Sequence, residues 1–292
     1  MKKLLLASVF LTIFSVSSVF GISIVAGECS RTTSVSNVDE VLKVMSFNIR
    51  YAKAPDGANS WKHRRKAVAA MICDQHPAVF GLQEALTEQI RYLHRHCPGY
   101  QHVGVGREDG VHEGEHMAVF FDSSLFTLLD WHTYWLSDTP DVPSLGWDAA
   151  CRRTATWVKL QRKSDGRCFY FVDTHLDHVG TAARRNGLSL IVDSIDAMNH
   201  EGYPMILVGD FNVEPENECL IPLNYRMQSA RLTAEHSDTT PSFNGWGKRT
   251  ECIDYIYHSG FTRCLDFRVV TQQYLHTPFV SDHYPVTAIL EF

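Results

Sequence analysis

Six short segments each leave a metal-ligating or proton-handling side chain at the end of an apolar run: SFNIR (46–50), LQEA (82–85), DTHLDH (173–178), VGDFN (208–212), CIDYI (252–256) and SDHYP (281–285). Each adjoins a strand-like stretch, namely VLKVMSF, PAVFGL, CFYFV, PMILV, IDYIY and PVTAIL. A strand buries its apolar side chains and delivers the next polar one to the sheet edge. Six such deliveries would gather Asn48, Glu84, His175, Asp210, Asn212, Asp254, Asp282 and His283 into one cleft. Hard oxygen ligands with histidines, and neither a CxxC pair nor HExxH, suit Mg2+, Mn2+ or Ca2+ better than zinc. The chemistry expected is metal-dependent hydrolysis.

The elements that must position these residues follow from periodicity. VLKVMSFNI reads as a strand, and Ser60 stands where it would cap a helix, WKHRRKAVAAMICDQ, ended by Pro77. The basic run Lys62, His63, Arg64, Arg65 and Lys66 reads as the wet face of that helix, with Val68, Ala69, Met71 and Ile72 buried; a phosphate-binding patch is the competing reading. AVFGLQE is a strand and TEQIRYLHRHC a second helix. From Tyr100 the period becomes two. YQHVGVGRE and EHMAVFFD predict a hairpin, so GVGREDG is its connection and not a phosphate loop. Residues 133–150 read as an ordered surface loop whose Trp135 and Trp147 either stack on a ring or pack in the core. ATWVKLQR and RCFYFVDTHL form another hairpin, AARRNGLSLIVDSIDAM a helix and MILVGDFN a strand. Residues 213–250 are mostly irregular, and strands follow around IDYIYH, FRVVTQQ and PVTAILEF. The pattern predicts an α+β fold, two packed and mostly antiparallel sheets flanked by helices.

The motifs span residues 46 to 285 of 292, so one site drawn from both halves implies one domain, 41–292. Lys2 and Lys3 precede the apolar run LLLASVFLTIFSVSSVF, which reads as a signal peptide over 1–27, with cleavage between about residues 20 and 28 and a polar leader over 28–40. The run is short for a retained anchor, and Glu28 argues against lipid attachment at Cys29. Export to the periplasm or medium, with no stable membrane insertion afterwards, is the expectation. Export permits disulfides among the eight cysteines, but a domain of this size does not need them, and free thiols fit equally. Net charge is −6, which offers no obvious basic surface for long nucleic acid. A monomer acting on a phosphate ester is expected, with nucleic acid a possible substrate that net charge does not favour.

The order and wording of the six segments resemble the endonuclease/exonuclease/phosphatase superfamily over Val41 to Phe292. GDFN or SDH alone would be weak; six in order at strand boundaries are strong. The resemblance implies a four-layer αββα sandwich and roles for the site. Glu84, Asn48 and Asp282 would bind the metal; Asp210 would orient or deprotonate the attacking water, or bind metal; Asn212 would donate to the phosphate. It pairs His283 with Asp254 and suggests Glu115 as the partner of His175. Arg153 is the candidate phosphate clamp, with Arg152 the near alternative and a surface salt bridge the competing reading. Asp177 and His178 extend the histidine motif toward the pocket.

Three functions fit this reading. The first is an exported phosphodiesterase of endonuclease type. The second is a phosphomonoesterase for a sugar or inositol phosphate on the same fold. The third is an inactive binding module, which the complete set of site residues disfavours.

Overall fold

The computed structural model describes residues 40–292; the expected signal peptide and cleavage region, Cys29 and nearly all of the expected leader lie outside the described residues. Thirteen strands form two sheets. In chain order they are β1 (Val41–Asn48), β2 (Val79–Ala85), β3 (Tyr100–Val103), β4 (His116–Asp122), β5 (Phe126–Trp135), β6 (Thr154–Arg162), β7 (Cys168–His175), β8 (Met205–Asp210), β9 (Gln228–Ser229), β10 (His236–Ser237), β11 (Asp254–Ser259), β12 (Arg263–Val269) and β13 (Val286–Glu291). The helices are α1 (Trp61–Gln75), α2 (Thr87–His96), α3 (Thr181–Met198), α4 (Ile221–Arg226) and α5 (Ala230–Thr233). One sheet runs β10-β12-β13-β1-β2-β4-β3, the other β5-β6-β7-β8-β11-β9.

Three separate apolar clusters account for four layers. The first lies between the sheets, with Val44, Val79, Phe169, Phe171 and Val208. The second packs α1 and α2 on the outer face of the first sheet through Phe47, Val68, Ile72, Phe80 and Leu93. The third packs α3 and α4 on the outer face of the second through Val172, Leu188, Ile191, Leu207 and Leu223. Strands covered on both faces lose apolar–polar alternation; β4 and β8 are buried along their whole length. At the end of the described chain, β13 lies beside β1 inside the first sheet, and Phe292 N donates to Glu40 O at 3.0 Å.

Most strand pairs are antiparallel, but β1 with β2, β7 with β8 and the short β10 with β12 run parallel. This topology builds the site. Parallel neighbours bring their carboxyl ends to one rim, while the antiparallel β4, β6, β11 and β13 bring their beginnings to it. His175, Asp210 and Asp254 are direct cross-strand partners on β7, β8 and β11, so their side chains share a face.

Two local readings change. Residues 133–135 belong to β5 and not to the loop; Trp135 is buried, and its indole N–H donates to Arg107 O at 2.8 Å. A register shift between Leu128 and Asp130 breaks the alternation that would have revealed this strand. Arg64 is not on the wet face of α1. It is 1% exposed, and its guanidinium donates to the carbonyls of Asn59, Val280 and Arg50 while lying over Trp61 and Trp246. Those three carbonyls supply the partners that a buried guanidinium requires. Lys62, His63, Arg65 and Lys66 are exposed.

A buried carboxyl sits between the sheets. Asp173 on β7 is fully covered; Gln83 Nε2 donates to its Oδ1 at 2.6 Å, and Oδ2 has no partner. It fits because residue 81 on β2 is glycine: a Cβ there would stand 2.5 Å from Asp173 Cγ. All seven described cysteines are free, and no described helix is long and apolar enough to cross a membrane.

Candidate active site

The rim residues enclose a cavity of about 480 Å³ lined by Glu84, Asp282, His175, Asp210, Asn212 and His283, with Arg50, Arg107 and Arg153 also on its wall. Within the range common for small-molecule sites, this volume suits a ligand of monosaccharide size. A larger depression between α1 and α2 lacks paired carboxylates and histidines, so the smaller cavity is the candidate site.

Asn48 ends β1 with its side chain buried, and its Nδ2 donates to Glu84 Oε1 at 3.0 Å and to Asp210 Oδ2 at 2.9 Å. One amide thus spaces the carboxylates of two sheets. Glu84 Oε2 also accepts from Tyr51 N at 3.0 Å. Asp282 accepts from Ser281 Oγ at 3.2 Å and lies 3.6 Å from Arg50 Nε. Burial first, and then the like charge of Glu84, raise the Asp282 pKa, while His283 and Arg50 oppose that. Arg50, Glu84 and Asn212 all adopt positive φ, at 57°, 61° and 54°. Such backbone is uncommon outside glycine and concentrates where structure holds functional groups in place.

His283 Nδ1 lies 2.8 Å from Asp254 Oδ2, the pairing the family resemblance implies. Its Nε2 faces Asp210 Oδ2 at 3.7 Å, and its ring lies 4.6 Å from that of Phe243. Burial opposes charge on His283, but Asp254, Asp210 and Asp282 outweigh it and raise its pKa to about 10. Asp210 is raised to about 7, chiefly by burial and by Asp254, against the opposing pull of His283.

His175 has different neighbours from those expected. Its Nε2 meets Asn212 Nδ2 at 3.0 Å and Asp210 Oδ2 at 3.4 Å, and its Nδ1 is buried without a partner. Glu115 instead makes a two-pronged pair with Arg107, at 2.6 and 3.0 Å. That arginine comes from the hairpin connection and captures the carboxylate because both point into the same wall. Burial, followed by the charges of Arg153 and Arg107, holds the His175 pKa well below the usual imidazole value, so the ring is neutral.

Arg153, just before β6, is 5% exposed. Its Nε lies 3.5 Å from Asp177 Oδ2 and its Nη2 3.0 Å from His178 Nδ1, leaving Nη1 with no protein partner among the described residues. Asp177 is fixed by the backbone N–H groups of Val179, Gly180 and Ala150. Although burial pushes its pKa up, those donors and Arg153 bring it to about 2. Arg152, the near alternative, is tied to Glu108 and does not line the cavity. Sequence reasoning gave no role to Arg50, Arg107 or Phe243. Arg50 stood in plain view in SFNIR; the other two sit in irregular segments without a periodic signal.

Among the described residues, two groups of side chains bring ligand atoms within 4.8 Å of one another: Asp210, Asp254 and His283, and Cys151, Asp177 and His178. In the first, Asp254 is already bonded to His283; in the second, Arg153 supplies the positive charge. Glu84 and Asp282 are oxygen donors on the cavity wall whose like charges a cation would relieve, so they fit a divalent ion better.

The model of the Endonuclease/Exonuclease/phosphatase family matches residues 45–283, which include every residue lining this cavity. The chain belongs to that family. Members of the family are phosphoesterases and nucleases, and this protein is one of its hydrolases. The chain is 31% identical to the mannosyl-6-phosphatase of Bacteroides thetaiotaomicron, with a TM-score of 0.82 over 86% of this chain and all of that one. It is 33% identical to a family protein of Bacteroides vulgatus, with a TM-score of 0.81 over 86% and 99% of the two chains. An uncharacterised protein of Acanthamoeba polyphaga mimivirus is 25% identical over 86% of this chain and 100% of its own length. Endonuclease/exonuclease/phosphatase enzymes typically use divalent metals, in keeping with the oxygen donors here.

Proposed function

We propose that this protein is an exported, divalent-metal-dependent phosphomonoesterase that removes a terminal phosphate from a sugar phosphate. The observation that carries the reading is Arg153. It is buried, held by Asp177 and His178, and keeps one Nη group free on a cavity wall that also holds Arg107. A monoester phosphate carries close to two negative charges near neutral pH, and the free Nη group of Arg153 offers its terminal oxygens a charged donor. The 31% identical relative is itself a mannosyl-6-phosphatase, which supports a sugar phosphate.

Glu84 and Asp282 would hold the Mg2+ or Mn2+ ion, with Asn48 setting the angle of Glu84; Ca2+ suits the same oxygens. The ion supplies charge neutralisation at a phosphate oxygen. Asp210 accepts a proton from the attacking water as the new P–O bond forms and the ester P–O bond breaks. His283, charged and held by Asp254, donates to the phosphate oxygens as negative charge builds there, and Asn212, whose amide meets His175 Nε2 and donates to Leu176 O, would do so on releasing one of them. Neutral His175 orients Asn212. The departing alkoxide takes a proton from water or from His283.

Assay of the purified protein with Mg2+ against p-nitrophenyl phosphate, bis-p-nitrophenyl phosphate and supercoiled plasmid tests this, with His283→Ala as the blank. Monoester turnover that the variant loses supports the proposal. Faster diester turnover or nicking would restore the phosphodiesterase reading, and silence on all three would favour the binding module. Export rests on the apolar run after Lys2 and Lys3, and fractionation of cells making the full chain checks it.

A further inference from the structure

The outer edge of the α1–α2 layer gathers cations that the cavity chemistry does not use. Lys62 and Arg65 project from α1, and Arg91 and Arg95 from α2, into one groove of about 590 Å³. All four are exposed, and none of their side chains forms an ion pair or hydrogen bond with another described residue. Only one carboxylate, Glu88, lines the groove. Arg65 lies 5.1 Å from the ring centre of Tyr92, which fixes the floor between the helices. Four like charges converge here in a chain whose net charge is −6. Their mutual repulsion costs stability, and a bound oxyanion would relieve it.

The groove begins next to the reaction. Ala52 lines it, whereas the preceding residue, Tyr51, lines the catalytic cavity. These two adjacent residues are both pinned, because Tyr51 N donates to Glu84 and Ala52 N donates to Gln89 on α2. A substrate extending from the cavity past Tyr51 and Ala52 meets the four cations.

We propose that the α1–α2 groove is a second anion site, which holds another phosphate of an extended substrate while the reacting phosphate occupies the cavity. The inference rests on the cavity being the seat of the reacting phosphate, but its binding test does not depend on turnover.

The test titrates inorganic pyrophosphate into the protein by calorimetry in EDTA and low salt, using Arg91→Glu/Arg95→Glu, Arg91→Lys/Arg95→Lys and Arg153→Ala variants. A site that persists in Arg153→Ala and in the lysine variant, weakens at least tenfold in the glutamate variant, and fades as NaCl is added supports the proposal. No binding to wild type at millimolar pyrophosphate, or binding indifferent to charge reversal, overturns it. Circular dichroism on the glutamate variant shows that the fold is retained. A kinetic arm compares a phosphorylated trisaccharide with the same trisaccharide carrying a second phosphate. The glutamate variant should lose about tenfold in kcat/KM on the bisphosphate only; equal loss on both would also overturn the second site. If the protein hydrolyses no ester at all, the cavity reading fails while the pyrophosphate result still decides the groove.

Discussion

Asp254 Oδ2 holds His283 Nδ1 at 2.8 Å, and the pair joins the start of one strand to a loop 29 residues further along the chain. The carboxylate both fixes the ring and keeps it charged, leaving Nε2 to face Asp210. Asp254→Ala should therefore lower kcat by about 100-fold or more with little change in KM, the size usual for a positioned acid–base group. Steady-state kinetics on a monoester checks this. A loss confined to KM would mean that the pair serves only binding.

The same groups predict the pH profile. Asp210 must be ionised to accept a proton, so activity should rise with pH through about 7. His283 must keep its proton, so activity should fall as pH approaches about 10. The resulting bell in kcat/KM should lose its alkaline side earlier in Asp254→Asn, because the charge that holds the His283 proton is gone. A profile unchanged by that substitution would count against the dyad.

Metal dependence should be traceable to the first sheet. EDTA should abolish turnover and Mg2+ or Mn2+ restore it. Asn48→Ala frees Glu84 Oε1 and Asp210 Oδ2 from their shared donor, and should raise the half-saturating metal concentration by about 10–100-fold. Metal titration of the variant is the check.

Asp173 should make the fold more stable when it is replaced by its neutral isostere. Burial raises its pKa well above the usual carboxylate value, so the folded protein keeps a proton that the unfolded chain releases above a pH of about 4. Folding stability from this group is thus highest in acid and falls as pH rises toward the folded pKa. Asp173→Asn should raise Tm by about 3 °C or more at pH 8 and by much less at pH 4. Thermal melts at the two pH values measure the difference; a drop at both would mean that the carboxyl proton makes a bond amide cannot replace.

Arg64 is the opposite case. Arg64→Met removes the donors to the carbonyls of Asn59, Val280 and Arg50, and leaves them buried or half-buried without that partner. A cost of about 2–4 kcal/mol follows, read by urea unfolding. Since Val280 precedes the Ser281–His283 segment, some activity should go with it.

Much of this site was legible because its residues close strands. Asn48, His175 and Asp210 each end an apolar run, and strand geometry alone carries them to a rim. What pairs with what was less legible. Asp254 met His283, but Glu115 turned to Arg107, a residue on a hairpin connection with no period to place it. The basic run on α1 illustrates a further limit. A helix periodicity separates faces only on average, and Arg64 could be buried because loop carbonyls far away in sequence were waiting for it. Similarly, β5 was missed altogether, with residues 133–135 read as loop, because a bulge interrupts its alternation.

The hydrogen bond from Phe292 N to Glu40 O closes the fold into a ring, for β1 and β13 are neighbours inside one sheet. Joining 292 to 40 with a short linker and opening the chain at the 163–166 turn would preserve every strand partnership. Such a circular permutant should keep its activity. By the same geometry, the domain could be spliced into an exposed loop of an unrelated host and leave by the door through which it entered.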